Sequence, residues 1–177
     1  MLISILKLIV DTIATILGGV LLLRFWMQAI RVRPPTSLGQ FIFTLSDWLV
    51  RPMRRIVPGV GGYDWASLIG AFLVVLLASS IYFLVGHTAE TVFLFALQRF
   101  LNWILYGFMA LLIIEAVFSW INPHAPLAPF VSALNDPLLR PLRRVVPLVG
   151  GLDLSLLVAL ILLQIAQLMV GMMFQIR

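Results

Sequence analysis

Two stretches of this chain, from Trp65 to about Gly86 and from Leu154 to about Phe174, run the length of a bilayer-crossing helix without one charged side chain. About 20 mostly apolar residues match a hydrocarbon core of ~30 Å. In that medium a helix satisfies its own backbone hydrogen bonds. A third stretch, Phe100 to Ile121, is interrupted only by Glu115, and a fourth, Leu2 to about Ile30, carries Lys7, Asp11 and Arg24. Four helical spans are expected. The composition agrees: 62% of the residues are hydrophobic and 11% charged, against roughly 45–50% and 25% in a soluble domain. A water-soluble enzyme and a disordered chain are both excluded. The N-terminus has no positive leading region and no small-residue cleavage motif, so the first apolar run is expected to stay as a span. With no cysteine in the sequence, disulfides, thiolate zinc sites and cysteine nucleophiles drop out together.

The polar residues are concentrated in two connections. Arg31, Arg33, Arg51, Arg54 and Arg55 lie between the first two spans, and Arg140, Arg143 and Arg144 between the last two. The other side has Arg99, Arg177 and Lys7. Loops of this length follow the positive-inside rule. Both arginine loops are therefore expected in the cytoplasm (or stroma or matrix), with both termini and the short 87–99 turn on the periplasmic side of a bacterial inner membrane. The formal charge of +5 would point to nucleic acid in a soluble protein. Here it points to anionic phospholipid head groups, and no nucleic-acid partner is expected.

A shift of 89 residues lays one loop on the other. Asp47–Asp64 reads DWLVRPMRRIVPGVGGYD and Asp136–Asp153 reads DPLLRPLRRVVPLVGGLD. Twelve of the 18 positions are identical, far beyond chance. The expected fold is an all-α membrane protein of four transmembrane helices in two tandem, parallel-oriented two-helix repeats, residues 1–88 and 89–177. Each repeat carries a cytoplasmic amphipathic, basic loop.

The doubled P-x-R-R-x-x-P-x-x-G-G-x-D signature, with Arg24-Phe25-Trp26-Met27-Gln28 ending the first helix, resembles the YggT (or YlmG) family over nearly the whole chain. The family motif often continues as Asp-x-Ser-Pro; here Asp153-Leu154-Ser155 lacks the Pro and Asp64-Trp65-Ala66 lacks both. The resemblance implies a small membrane protein of bacteria and plastids. Its relatives are linked to osmotic or potassium tolerance, to the cell-division neighbourhood, and in chloroplasts to haem attachment on cytochrome b6. Those associations fit an assembly factor better than an enzyme.

Within each loop, residues 38, 41, 42, 45 and 49 put apolar side chains at helical spacing, and Phe130, Val131, Leu134 and Leu138 repeat this less regularly. Each segment can lie along the membrane interface, with Arg51, Arg54 and Arg55, or Arg140, Arg143 and Arg144, at head-group depth. These arginines serve either as plain topology determinants or as a lipid- or partner-binding site, since guanidinium forks suit phosphate. Topology alone would not require the repeated spacing. Pro52, Pro58, Pro141 and Pro147 are expected to interrupt helices, and Gly61, Gly62, Gly150 and Gly151 to allow positive φ or close backbone approach. Asp64 and Asp153 are expected to cap the following spans; each can also pair with a motif arginine. Gly-Gly before a helix resembles an anion cradle, but the aspartate at the cap repels phosphate.

Intramembrane ionisable groups are costly and functional by default. Arg24 and Glu115 have similar depth and opposite sign and are expected to form a pair. Lys7 and Asp11, spaced i, i+4, can pair on one helix face. His87 and His124 fall in loops on opposite sides, so neither a metal nor a cofactor is expected. The function expected from all this is non-enzymatic: a scaffold or assembly and stress-tolerance factor for membrane complexes, with anionic phospholipids and a membrane-protein partner or a second copy as ligands. The alternative is an oligomeric ion conduit.

Overall fold

The computed structural model of the chain describes residues 2–146 and 153–174. Six α-helices follow one another: α1 (Leu2–Ala29), α2 (Thr36–Ile56), α3 (Trp65–Ser79), α4 (Ala89–Ile121), α5 (Ala128–Arg143) and α6 (Leu154–Met173). A 3-10 segment, Ser80–Val85, prolongs α3. The described residues hold four helices long and apolar enough to cross a membrane: Ile3–Ala29, Trp65–Val85, Ala89–Ile121 and Leu154–Met173. The four spans read from hydropathy are thus present. At 1.5 Å per residue, the 33 residues of α4 reach about 50 Å, well beyond a hydrocarbon core of about 30 Å.

Helices α2 and α5 are of a different kind. Each mixes polar and apolar residues and buries one stripe. In α2 the stripe is Gly39, Ile42, Ser46 and Val50; in α5 it runs through Phe130, Val131, Leu134, Asn135 and Leu139. Steps of three and four residues, with 130/131 and 134/135 as adjacent pairs in α5, keep each stripe on one helical face. Both helices pack at the end of the spans where the arginines lie. There Met27 of α1 joins Ile42 of α2 and Phe130, Val131 and Leu134 of α5 in one core cluster. The Trp26 indole N–H donates to the Leu134 carbonyl at 2.9 Å, and its ring meets Phe108 of α4 edge-on at 4.9 Å. One end of α1 is thus seated against both surface helices. About two turns earlier in α1, a Cβ on Gly18 would lie 2.1 Å from a ring carbon of Trp103, so the close approach of α4 to α1 depends on that glycine.

Two prolines depart from expectation. Pro52 and Pro141 do not end their helices, which continue to Ile56 and Arg143. Pro52 lies in the last turns, on an exposed face, where the carbonyl it orphans can meet water or a head group. An interior proline costs about 3 kcal/mol, and the ion pairs made by the following turn offset part of that. Pro58 follows Val57 in extended backbone (φ −117°, ψ 90°), as the residue before a proline should be. Gly61 and Gly62 adopt φ of +69° and +83°, closing the turn into α3. Pro147, Gly150 and Gly151 lie outside the described residues.

Candidate functional site

A cluster of ion pairs locks the surface helix α2 to the spans, and it begins with Arg24, five residues before the end of α1 and only 6% exposed. Its guanidinium donates to Ser46 Oγ at 2.6 Å and to Asp47 Oδ1 at 2.7 Å, both on α2. Its Nε lies 3.5 Å from Asp64 Oδ2, just ahead of α3. The Phe43 ring covers the guanidinium at 4.9 Å. Asp64 is 2% exposed and also accepts from Arg54 Nη2 at 2.6 Å and Ser67 Oγ at 2.7 Å. One buried carboxylate therefore fastens α1, the last turn of α2 and the first turn of α3. Arg51 closes the cluster on Asp47 at 2.7 Å from an exposed position.

The arrangement recurs 89 residues later with one inversion. Arg143 of α5 donates to Asp153 Oδ2 at 2.8 Å, as Arg54 does to Asp64. The spanning helix, however, contributes an acid. Glu115 of α4 accepts from Asn135 at 2.7 Å, Ser132 at 3.2 Å and Arg143 at 3.2 Å. Asn135 is the shift-equivalent of Ser46, and its amide also donates to the Leu111 carbonyl. Arg140 pairs with Asp136, four residues back.

Arg24 and Glu115 therefore do not pair. Each is claimed by its own surface helix, because Ser46 and Asp47 or Ser132 and Asn135 present donors and acceptors closer at hand. The capping expectation splits. Asp64 makes no side-chain bond to a backbone N–H and is spent on arginines and Ser67, whereas Asp153 accepts from the Ser155 N–H at 3.0 Å as well as from Arg143. Lys7 and Asp11 also take other partners. Lys7 donates to the Tyr82 hydroxyl at 2.8 Å, and Asp11 pairs with Arg99 of α4 at 2.7 Å. A pair within one helix is worth only a few tenths of a kcal/mol, and a charge-assisted bond between helices outcompetes it.

The charges set the titration of the locks. The Arg24 hydrogen bond holds the Asp47 carboxyl below its ordinary value, against the opposing push of burial. At Asp64 burial alone would raise the value, but the hydrogen bonds from Arg54 and Ser67, with the charges of Arg54 and Arg24, outweigh it and lower it. Asp153 behaves the same way: burial is overcome by Arg143 and Ser155. The hydrogen bond to Asp64 raises the Arg54 guanidinium. Arg143, against its own desolvation, is raised by Asp153 and Glu115.

Of the six motif arginines, Arg54 and Arg143 are committed to the aspartates ahead of the next span, while Arg51 and Arg140, from exposed positions, pair only with an acid four residues back on their own helix. Arg55 and Arg144 are exposed and have no partner among the described residues. Ser46, Asp47, Ser67, Ser132 and Asn135 were not singled out from the sequence. A signal was there: residues 46 and 135 are both polar in the middle of an otherwise apolar stripe. Among the described residues no group of three or more His, Asp or Glu could hold a metal ion. An apolar cleft of about 300 Å³ between α1 and α4, lined by residues such as Gly19, Leu23, Trp26, Trp103 and Gly107, contains no titratable group.

A family model described as CCB3/YggT matches residues 3–85 and 94–174. The chain is 33% identical over 169 residues to an uncharacterized protein of Pseudomonas aeruginosa, covering 92% of this chain and 86% of that one. It is 30% identical over 172 residues to an uncharacterized protein encoded in the proC 3′ region of Vibrio alginolyticus (92% and 91%). It is 29% identical over 168 residues to the uncharacterized protein YggT of Escherichia coli K12 (94% and 89%). No solved structure matches. With the matched segments running through all four spans and both locked arginine motifs, the chain belongs to the CCB3/YggT family.

Proposed function

We propose that this protein is a non-catalytic scaffold of the bacterial inner membrane, which holds two basic surface helices rigidly at the cytoplasmic face for a membrane-protein partner. The observation that supports this best is the pair of locks, Arg54–Asp64 and Arg143–Asp153, each joining the end of a surface helix to the start of a span. Ordering a helix at an interface costs conformational entropy. Binding to a surface already ordered avoids that cost at the moment of association. The locks spend Arg54 and Arg143 internally and leave Arg55 and Arg144 to face outward. A conduit through one chain has less support. Between Asp11 and Arg24, α1 offers only the hydroxyls of Thr12 and Thr15, and both donate to their own helix carbonyls.

The test is recovery of partners from native membranes in mild detergent, with native mass as the stoichiometry readout. Wild-type protein should bring down a reproducible stoichiometric partner, and Arg140→Glu with Arg144→Glu should lose it while still inserting with unchanged topology. A wild-type protein that emerges as a bare homo-oligomer, or a double variant that keeps its partner, would overturn the scaffold.

A further inference from the structure

The outward faces of the two surface helices differ, and the difference names what lies against one of them. On α2, Phe41, Leu45, Trp48, Pro52 and Ile56 follow at intervals of four, three, four and four residues, which lines them along one side of the helix. Phe41 is 58% exposed, Trp48 65% and Ile56 82%. This strip runs beside the buried stripe of Ile42, Ser46 and Val50, and its other border is Arg51 and Arg55. On α5 the equivalents of Phe41 and Leu45 are Phe130 and Leu134, which are 8% and 0% exposed and seated with Met27 of α1. The equivalent of Trp48 is Pro137. The last positions are alike, Pro141 and Val145 being exposed as Pro52 and Ile56 are. The halves therefore differ in the first part of the strip: covered by protein at Phe130 and Leu134, open from Phe41 to Trp48.

We propose that Phe41, Leu45 and Trp48 of the α2 strip are seated in the acyl region of the cytoplasmic leaflet, with Pro52 and Ile56 at head-group level, and that Arg51 and Arg55 engage the phosphates of anionic phospholipids there. Helix α5, whose first strip positions are covered, makes no comparable contact. Three observations carry the choice of a lipid surface over a protein. First, α2 is fastened through Arg24 and Asp64 to the ends of two spans, the level where hydrocarbon gives way to head groups. Second, the strip combines large apolar side chains with arginines on one border, the pattern of an interfacial helix. Third, the Trp48 indole N–H donates to the Leu45 carbonyl of its own helix at 2.8 Å, so the ring can enter hydrocarbon without an orphaned donor. The proposal rests on the scaffold reading only in dividing the labour, lipid to α2 and partner to α5; the lipid contact itself stands on the geometry.

The chain has no cysteine, so single cysteines at Phe41, Trp48 and Phe130 can carry an environment-sensitive fluorophore in full-length protein. The protein is placed in nanodiscs of mixed phosphatidylglycerol and phosphatidylcholine. Labels at 41 and 48 should be quenched severalfold by doxyl groups on the acyl chains and little by aqueous iodide. The label at 130 should be shielded from both, which also reports that the fold is kept. Arg51→Gln and Arg55→Gln should each lower the retained ratio of phosphatidylglycerol to phosphatidylcholine roughly fivefold, from the usual contribution of a basic residue at an anionic surface. Arg140→Gln with Arg144→Gln should leave that ratio unchanged. Iodide quenching without doxyl quenching at 41 and 48 overturns the proposal, as does an equal loss of phosphatidylglycerol from the α5 variant. If the α2 variant loses a co-purifying protein while its lipid ratio holds, the strip is a protein site; that outcome overturns the lipid assignment and leaves the scaffold standing.

Discussion

The locks around Asp64 and Asp153 are built from the same motif but balanced in opposite ways. In the first, Arg24, Arg51 and Arg54 face Asp47 and Asp64: three cations and two anions, with Arg24 and Asp64 both nearly excluded from solvent. In the second, Arg143 alone faces Asp153 and Glu115, from a side chain 37% exposed. The loop motif thus conserves the arginine–aspartate pair between the halves, while the spanning helix decides whether the third partner is a cation or an anion. A buried charge is tolerated only when it is paired. The first lock therefore depends on a buried cation, and the second on a half-exposed one that two acids share.

The largest effect should come from Arg24→Ala. It strips the buried carboxylate of Asp64 and the partly buried one of Asp47 of a shared partner, and breaking such a buried pair costs about 3 kcal/mol. The thermal melting point in detergent should fall by several degrees or more. Glu115→Gln, in contrast, can still accept from Asn135 through its carbonyl and donate its amide N–H to the Ser132 hydroxyl, and it leaves Arg143 to Asp153 alone; it should cost under about 1 kcal/mol. Equal losses from the two changes would show that the locks are not balanced differently.

The second lock makes a sharper claim through coupling. Arg143→Ala leaves Asp153 and Glu115 without their cation and should cost about 1–2 kcal/mol, less than full burial would imply because the side chain is partly solvated. Adding Glu115→Gln should return part of that loss, roughly 0.5–1 kcal/mol, as expected for residues in one network. A double variant whose melting shift is the simple sum of the two would remove Glu115 from the lock.

How far these contrasts were legible in the sequence depends on what each residue competes with. The spans were readable because a run of about 20 apolar residues has few alternatives. The arginine–aspartate locks were half readable: the doubled motif gave their residues, but capping and ion pairing were equally open for Asp64. The Arg24–Glu115 pair failed because depth along a helix is visible in sequence and azimuth is not. Ser46, Asp47 and Asn135 stood nearer once the surface helices packed. Pro52 and Pro141 misled because a proline near a helix end loses little when its orphaned carbonyl is exposed. The open face of α2 was written in Phe41 and Trp48, but only the packing of Phe130 shows that its counterpart is covered.

Acidification separates the locks by charge rather than by mutation. Asp47, Asp64 and Asp153 are all held below their ordinary value of 3.8. A carboxylate depressed in the folded state stabilises the fold fully above its unfolded value and loses that contribution as pH falls through the folded one. The melting point should therefore stay level from neutral pH down to about 5 and drop only near and below about 4. Asp64→Asn should flatten that drop more than Asp153→Asn, since two of the three acids belong to the first lock and Asp64 is the more buried. A fall that begins near pH 6 would point to groups outside both locks.

The smallest effect concerns the link between α1 and α2. Arg31 has φ of +58°, the left-handed region that glycine normally fills at the end of a helix. Around it, the Arg31 N–H donates to the Gln28 carbonyl and the Val32 N–H to the Met27 carbonyl at 2.9 Å, so the strain is held in place by a closed helix end. A side chain in this conformation costs about 1 kcal/mol, and glycine here gives up some of that advantage through its freer unfolded chain. Arg31→Gly should therefore raise stability by at most about 0.5–1 kcal/mol, measured as a small upward shift in melting point with topology unchanged. The equivalent residue of the other half is Trp120, inside α4, where glycine relieves no strain and should lower stability by about as much. If the two glycine changes moved stability the same way, the left-handed end of α1 would carry no strain that distinguishes it from α4.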